Sequence, residues 1–211
     1  MAVTVVCAGG AGHRFGSVKQ YAELGGRRLL DHAVANALEA SEAVIVGVPA
    51  TDVDEIAASF ADPEVQVIAG GVLRSDTVRC ALAVIPRDAD VIVVHDAARP
   101  LAPPSLFEDV IAAVTNGADA AVPGIAPSDT VKRIDGDVVI ETLDRGKLVL
   151  VQTPQAFRAD VLRAAHAAGG DATDDAALVE LAGGKVVVVR GHPAAAKITT
   201  PDDVVAMKRF L

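Results

Sequence analysis

The chain has 211 residues, 51% of them hydrophobic, no Trp and a formal net charge of −9. That length suits one large domain, expected to span 1–211, with small apolar residues filling the space where helices press on a sheet. The acidic balance excludes a general nucleic-acid binder but not anionic small substrates, which local Arg and Lys can hold in a cleft. No apolar stretch approaches the roughly 18 residues of a membrane-spanning helix, and the first apolar run, ending at Gly9, has no basic segment before it, so no membrane contact and a cytoplasmic location are expected. Cys7 and Cys80 give neither a disulfide framework nor metal-ligand spacing, and both are expected to be small buried hydrophobes.

Short β-branched runs at 3–8, 43–48, 65–69, 91–95 and 118–122 read as strands. Between them, Leu30, Val34, Ala37 and Leu38, then Val78, Leu82 and Ile85, then Leu106, Val110, Ile111 and Val114 recur at helical spacing. The third helix opens on Pro103-Pro104-Ser105, where a proline in the first turn loses no hydrogen bond. This alternation predicts a Rossmann-like α/β fold: a mostly parallel sheet with helices on both faces. At 129–145 the rhythm breaks. Asp135-Gly136-Asp137 sits between the runs 130–134 and 138–142, and Asp-Gly is a strong hairpin signal. An isolated ribbon needs something to pack on, so this inserted β-hairpin is expected to be an arm that embraces a second subunit. A strand at 147–151, helices near 158–168 and 174–181, a strand at 185–189 and a final helix follow. The last starts at Thr200-Pro201-Asp202-Asp203, where Thr200 can cap and the carboxylates suit a helix N-terminus.

Two segments carry the chemistry. Ala8, Gly9, Gly10, Ala11 and Gly12 follow the first strand directly, and glycines there bring backbone N–H groups close to phosphates. No Lys-Ser/Thr closes the loop as in a P-loop, and the third glycine of a dinucleotide fingerprint is missing. Arg14 and Lys19 stand beside it, two cations suited to the charge that builds on a triphosphate as it breaks. The second segment is His95-Asp96-Ala97-Ala98-Arg99-Pro100 at the carboxyl end of the fourth strand, the edge where open α/β sheets bind ligands. A carboxylate at a buried strand tip is costly without a partner. Asp96 is therefore the expected Mg²⁺ ligand, since that ion takes few protein oxygens and completes its shell with water and substrate phosphates. The alternative is an Asp96–Arg99 pair at a loop corner. His95, without a His or Cys partner at ligand spacing, reads as structural. Gly70-Gly71-Val72-Leu73-Arg74-Ser75-Asp76-Thr77 opens a helix and suits anion or base recognition, while Lys197 is unremarkable alone.

These pieces, together with Lys19-Gln20-Tyr21, Asp129-Thr130-Val131-Lys132, Asp144-Arg145, Gln152-Thr153-Pro154-Gln155, Thr173-Asp174-Asp175 and Lys197-Ile198-Thr199, resemble in order and over nearly the whole chain the 2-C-methyl-D-erythritol 4-phosphate cytidylyltransferases of non-mevalonate isoprenoid biosynthesis. The chain departs from that pattern at Val18, where the family usually has Pro, and in a short stretch between Arg14 and Lys19. The resemblance implies transfer of CMP from CTP to methylerythritol phosphate with release of pyrophosphate. On that implication Arg14 and Lys19 stabilise the transition state, and residues 8–12 with Gly71, Arg74 and Thr77 hold the nucleotide. Arg145 and Lys197 position the acceptor, Arg99, Thr130, Thr153 and Thr173 line its pocket, and Asp96 holds Mg²⁺. It also implies a homodimer whose arms bring Thr130 and Arg145 to the neighbouring site. Ribitol 5-phosphate as acceptor, a sugar nucleotidyltransferase using UTP, and a non-catalytic nucleotide-binding or redox protein are the rival readings.

Overall fold

The computed structural model describes residues 1–9, 19–169 and 174–211. In chain order its strands and helices are β1 (Ala2–Cys7), β2 (Glu23–Leu24), β3 (Arg27–Arg28), α1 (Leu29–Leu38), β4 (Ala43–Val48), α2 (Val53–Ser59), β5 (Val65–Ala69), α3 (Arg74–Val84), β6 (Val91–Asp96), α4 (Pro104–Thr115), β7 (Ala120–Ile125), β8 (Lys132–Asp135), β9 (Val138–Thr142), β10 (Leu150–Val151), β11 (Gln155–Arg158), α5 (Ala159–Ala168), α6 (Asp175–Leu181), β12 (Val186–Arg190) and α7 (Pro201–Met207).

The main sheet runs β10-β7-β11-β6-β1-β4-β5, with β12 on β7. The pairs β1–β4, β1–β6, β4–β5 and β12–β7 are parallel. The antiparallel strand β11 is wedged between β6 and β7. Side chains alternate across the strands because the pleat has a period of two. Thus Val6 of β1 and Val93 of β6 face a cluster with Leu30, Val34, Phe107 and Val110 of α1 and α4. Val3, Val5, Ile92 and Val94 face the other, with Val78 of α3, Phe157, Leu162 of α5 and Val179 of α6. Both faces being covered, these strands read as unbroken apolar runs, as the sequence indicated.

β8 and β9 pair with each other and with no other strand among the described residues, and every residue in them is exposed. The hairpin falls where Asp-Gly marked it, its first strand starting at Lys132, two residues later than expected, with a bulge between Arg133 and Ile134. Cys80 departs from expectation. It is exposed, because Val78, Ala81 and Leu82 take the inner face of α3 and a residue between them points outward. Cys7 is partly buried, and burial pushes its thiol up to about 12, so it stays protonated.

α7 anchors the segment that carries Lys197. The Asp203 carboxylate accepts from the backbone N–H of Thr199 at 2.7 Å and of Thr200 at 2.8 Å, and from the Thr199 hydroxyl at 2.8 Å. Those N–H groups hold its pKa down to about 2. A depressed carboxyl stabilises the fold above its unfolded pKa, and the contribution is lost as pH falls from about 4 toward the folded value. Asp203→Ala is accordingly expected to cost about 1 kcal/mol at neutral pH and much less near pH 2. Urea unfolding at the two pH values checks this; an equal loss at both would remove the cap from the account.

Candidate active site

β1 sends the chain by α1 to β4 on one side, while β6 pairs on its other side, so the sheet's connections diverge there. Ligands of open α/β sheets bind outside the carboxyl ends at such a divergence. Cys7 and Asp96 end β1 and β6 as register partners. Above them is a cleft of about 210 Å³ whose walls include Ala8, Gly9, Lys19, Gln20, Gly71, Arg74, Thr77, Asp96 and Lys197. Among these lining residues are three cations and one carboxylate, a positive patch in an acidic chain and a place for a polyanion.

The glycine-rich end of β1 meets the loop between β5 and α3. A Cβ on Gly71 would lie 2.1 Å from the Asp76 Cβ, and one on Gly47 would lie 2.3 Å from the Thr77 Cγ2. Any side chain at either position would displace the start of α3. That packing seats Thr77, which is buried, accepts from the Gly71 N–H at 3.1 Å and donates to the Leu73 carbonyl at 3.3 Å. Lys19 comes from a short turn, Lys19–Tyr21, anchored where the Tyr21 hydroxyl donates to Asp52 at 2.7 Å.

Asp96 sits between two cations. Arg74 Nε donates to its Oδ1 at 2.8 Å and Lys197 Nζ to its Oδ2 at 2.8 Å. Burial alone would favour the neutral acid, but the charges of Arg74 and Lys197 outweigh it and hold Asp96 far below the usual carboxylate range. Lys197 reaches it because the Ile198 N–H donates to the Ala98 carbonyl at 2.8 Å. The expected alternative partner, Arg99, instead donates to the backbone carbonyls of Ala195 at 2.8 Å and Val151 at 3.4 Å, bracing two loops.

Behind Asp96, His95 is fully buried and burial lowers its pKa to about 4, so the ring is neutral. Its Nε2 lies 3.2 Å from the Arg99 carbonyl and must carry the proton, leaving Nδ1 to accept from the Thr153 hydroxyl at 3.0 Å. The Thr153 oxygen in turn accepts from the Asp96 N–H at 3.0 Å. Thr153, expected on the acceptor wall, does not line this cleft; it is buried and supports Asp96 from below. Gln152 and Gln155 of the same segment tie down His192 and Asp174.

The cleft thus gathers Ala8, Gly9, Lys19, Gly71, Arg74, Thr77, Asp96 and Lys197 from the expected set. Arg145 and Thr130 lie at the base of the arm, outside it, with Arg145 donating to the Ser128 carbonyl. Gly10, Ala11, Gly12, Arg14, Val18 and Thr173 fall outside the described residues. Two side chains that sequence reasoning did not assign, Asp175 and His166, complete the floor: Arg74 Nη1 donates to Asp175 Oδ2 at 2.5 Å, and His166 Nε2 lies 2.9 Å from Asp175 Oδ1.

Residues 2–211 match the family described as 2-C-methyl-D-erythritol 4-phosphate cytidylyltransferase (IspD). The chain belongs to that family. A relative so named from Saccharopolyspora erythraea is 46% identical across 99% of this chain and 98% of its own length. One from Nocardia farcinica is 46% identical across 95% and 90%. Among solved structures, 4-diphosphocytidyl-2C-methyl-D-erythritol synthase from Anaerococcus prevotii superposes with a TM-score of 0.87 at 27% identity, covering 100% of this chain and 97% of that one. A 2-C-methyl-D-erythritol 4-phosphate cytidylyltransferase from Thermus thermophilus gives 0.79 at 30% identity over 97% and 96%. The Rossmann-like sheet read from the sequence is therefore the family's own fold, and the cleft lies within its matched region.

Whether Mg²⁺ suits this cleft is a question of its donors. Among the described residues no group of three or more His, Cys, Asp or Glu side chains converges on a metal position. Asp96 is ionised, and although each of its oxygens takes one cation, each keeps a further lone pair. One such carboxylate fits an ion that draws its other ligands from water and nucleotide phosphates, and would not support a metal held by protein alone.

Proposed function

We propose that this chain transfers the CMP group of CTP to 2-C-methyl-D-erythritol 4-phosphate, forming 4-CDP-2-C-methyl-D-erythritol and pyrophosphate. The observation that carries the reading is the Arg74–Asp96–Lys197 array, set at the sheet's divergence point in a chain that matches this family end to end. The acceptor phosphate oxygen attacks the α-phosphorus in line and pyrophosphate leaves with the bond's electron pair. No general base is needed, because a phosphate is already an ionised nucleophile near neutral pH. Rate then comes from positioning and charge. Ala8, Gly9, Gly71, Arg74 and Thr77 hold the nucleotide, a role shared with Gly10, Ala11 and Gly12. Arg14 and Lys19 offset charge on the leaving pyrophosphate, and Lys197 faces the acceptor. Asp96 would hold Mg²⁺, which when bound supplies charge neutralisation at the α-phosphate.

The chain works as one domain over 1–211 and as a homodimer. Ile134, Val138, Val139 and Ile140 of the arm are each more than half exposed, at 61%, 66%, 55% and 57%. Ile134 and Val139 pair across the ribbon while Val138 and Ile140 take its other face, so the arm offers apolar surface suited to a second copy of the chain. Arg145 and Thr130 would serve the neighbouring cleft, with Arg99, Thr153 and Thr173 supporting the acceptor region. No described helix is long and apolar enough to cross a membrane, and we place the enzyme in the cytoplasm.

Purified protein with Mg²⁺ and CTP is expected to release pyrophosphate with methylerythritol phosphate and not with ribitol 5-phosphate. Release with ribitol 5-phosphate alone would keep the chemistry and replace the acceptor. Release with neither acceptor would overturn the reading.

A further inference from the structure

We propose that Asp175, steadied by His166, is a positioning residue for the nucleotide cleft, dividing the Arg74 guanidinium so that Asp96 keeps an oxygen for Lys197 and for substrate. The inference rests on the function proposed above. Asp175 lies on the floor: its side chain is 1% exposed and it does not line the cleft. A carboxylate there is costly unless its oxygens are satisfied. Arg74 Nη1 reaches Oδ2 at 2.5 Å and His166 Nε2 meets Oδ1 at 2.9 Å. Because a carboxylate only accepts, His166 carries its proton on Nε2. Asp174 caps α6, its Oδ1 accepting from the Ala177 N–H at 2.9 Å and its Oδ2 from Gln155 Nε2 at 2.9 Å. The first turn of α6, and Asp175 in it, are thus tied to the same segment that supports Asp96 through Thr153.

The consequence is geometric. An arginine beside a lone carboxylate takes it with two parallel N–H bonds. Here Arg74 gives Asp96 one bond, through Nε, while Nη2, the nitrogen that could pair with Nε on one carboxylate, has no partner among the described residues, because the Asp175 hold on Nη1 fixes how the guanidinium is turned. Asp96 Oδ2 is thereby left to Lys197 at 2.8 Å. With Asp175 uncharged, the guanidinium is free to turn until Nε and Nη2 both meet Asp96, displacing Lys197 and blocking the carboxylate. A salt bridge that only stabilised the fold would be replaceable by packing without altering ligand affinity; this one sets the charge pattern that CTP meets.

Calorimetry with CTP and steady-state kinetics test it. Asp175→Asn keeps the side-chain volume and is expected to raise the Kd and KM for CTP about tenfold and, because Lys197 is displaced from Asp96, to lower kcat/KM for the acceptor as well. His166→Phe is expected to weaken CTP binding about threefold and His166→Gln, which restores an N–H donor, to recover it. In an Arg74→Met background Asp175→Asn is expected to add nothing to the CTP Kd, since its effect passes through Arg74. Should Asp175→Asn not fold, the His166 pair decides: equal CTP affinity in His166→Phe, His166→Gln and the unsubstituted protein overturns the proposal. Unchanged CTP affinity in a folded Asp175→Asn overturns it too, as does a full tenfold loss on the Arg74→Met background. Failure of the unsubstituted protein to bind CTP would instead remove the proposed function, and this inference with it.

Discussion

Asp96→Asn is expected to lower kcat/KM by about 10³-fold, corresponding to roughly 4 kcal/mol of transition-state stabilisation. Two effects combine. The amide removes the one ionised oxygen donor on the cleft wall among the described residues, and it turns an NH₂ group toward either Arg74 or Lys197, whose nitrogens now lie 2.8 Å from the carboxylate oxygens. A donor facing a donor loses the contact and leaves a partly buried cation without its counter-ion. A stability loss of about 2–3 kcal/mol follows, because breaking one side of a buried pair costs more than the pair itself contributes. Ligand affinity separates the catalytic effect from the structural one. Without divalent cation, CTP is expected to bind the variant at least as tightly as the unsubstituted protein, since the cleft has lost a negative charge. The stimulation of turnover by Mg²⁺ is expected to disappear. Near-normal Mg²⁺-dependent turnover in Asp96→Asn would end the metal role for this residue. The pH dependence follows from the same contacts. Asp96 is held far below the usual carboxylate range by Arg74 and Lys197 despite its burial. A group depressed in this way contributes stability that is complete above the unfolded value and lost only as pH falls below about 4. Asp96 therefore adds no acid limb to activity between pH 5 and 9, by about a pH unit's margin at least.

The elements that carry these residues were legible to different degrees. β1, β4, β5 and β6 could be read directly because their apolar runs are buried on both faces. β11 could not. Its sequence Gln155-Ala156-Phe157-Arg158 begins and ends on polar side chains, yet it occupies the middle of the sheet, and its place depends on β6 and β7 bracketing it. α2 escaped notice because only Ile56 of it is buried, too little for a periodic signal. In the site, motif positions located Asp96, Arg74 and Lys197 separately, but nothing local joined them: Lys197 meets Asp96, and Asp175 meets Arg74, across 101 residues of chain in each case. Charge balance was the available clue. Asp96, buried at a strand tip, had to find a cation, and Arg99 was the near choice in sequence. The cation came instead from α3 and from the segment before α7, because parallel strands bring their carboxyl ends, and the loops that follow them, to one edge. Thr153 illustrates the reverse case. Its motif marked it as important, but the structure uses it to hold the Asp96 backbone and the His95 ring.

Arg145→Ala and Lys197→Ala are each expected to lose about 10²-fold or more in kcat/KM for the acceptor, and mixing them is expected to restore activity neither has alone. Lys197 lines the cleft of its own chain, whereas Arg145 stands outside it at the base of an arm whose two strands pair only with each other among the described residues. If the arm crosses a two-fold axis, a mixed dimer carries both defects at one site and none at the other. With equal amounts and free exchange, half of the dimers are mixed, so about a quarter of all sites regain full activity. Either variant alone cannot reach that level at any concentration. Co-expression of the two chains with distinguishable tags, purification of the mixed species and measurement of pyrophosphate release gives the comparison directly. Arg145→Ala is also expected to bind CTP within about twofold of the unsubstituted protein, since Arg145 lies outside the cleft proposed for the nucleotide. Lys197→Ala shifts CTP affinity as well, because Asp96 loses the partner on its Oδ2. Mixed dimers no more active than their parents would mean that each arm serves its own chain, and Arg145 would then have to reach its acceptor by a movement of the arm toward its own cleft.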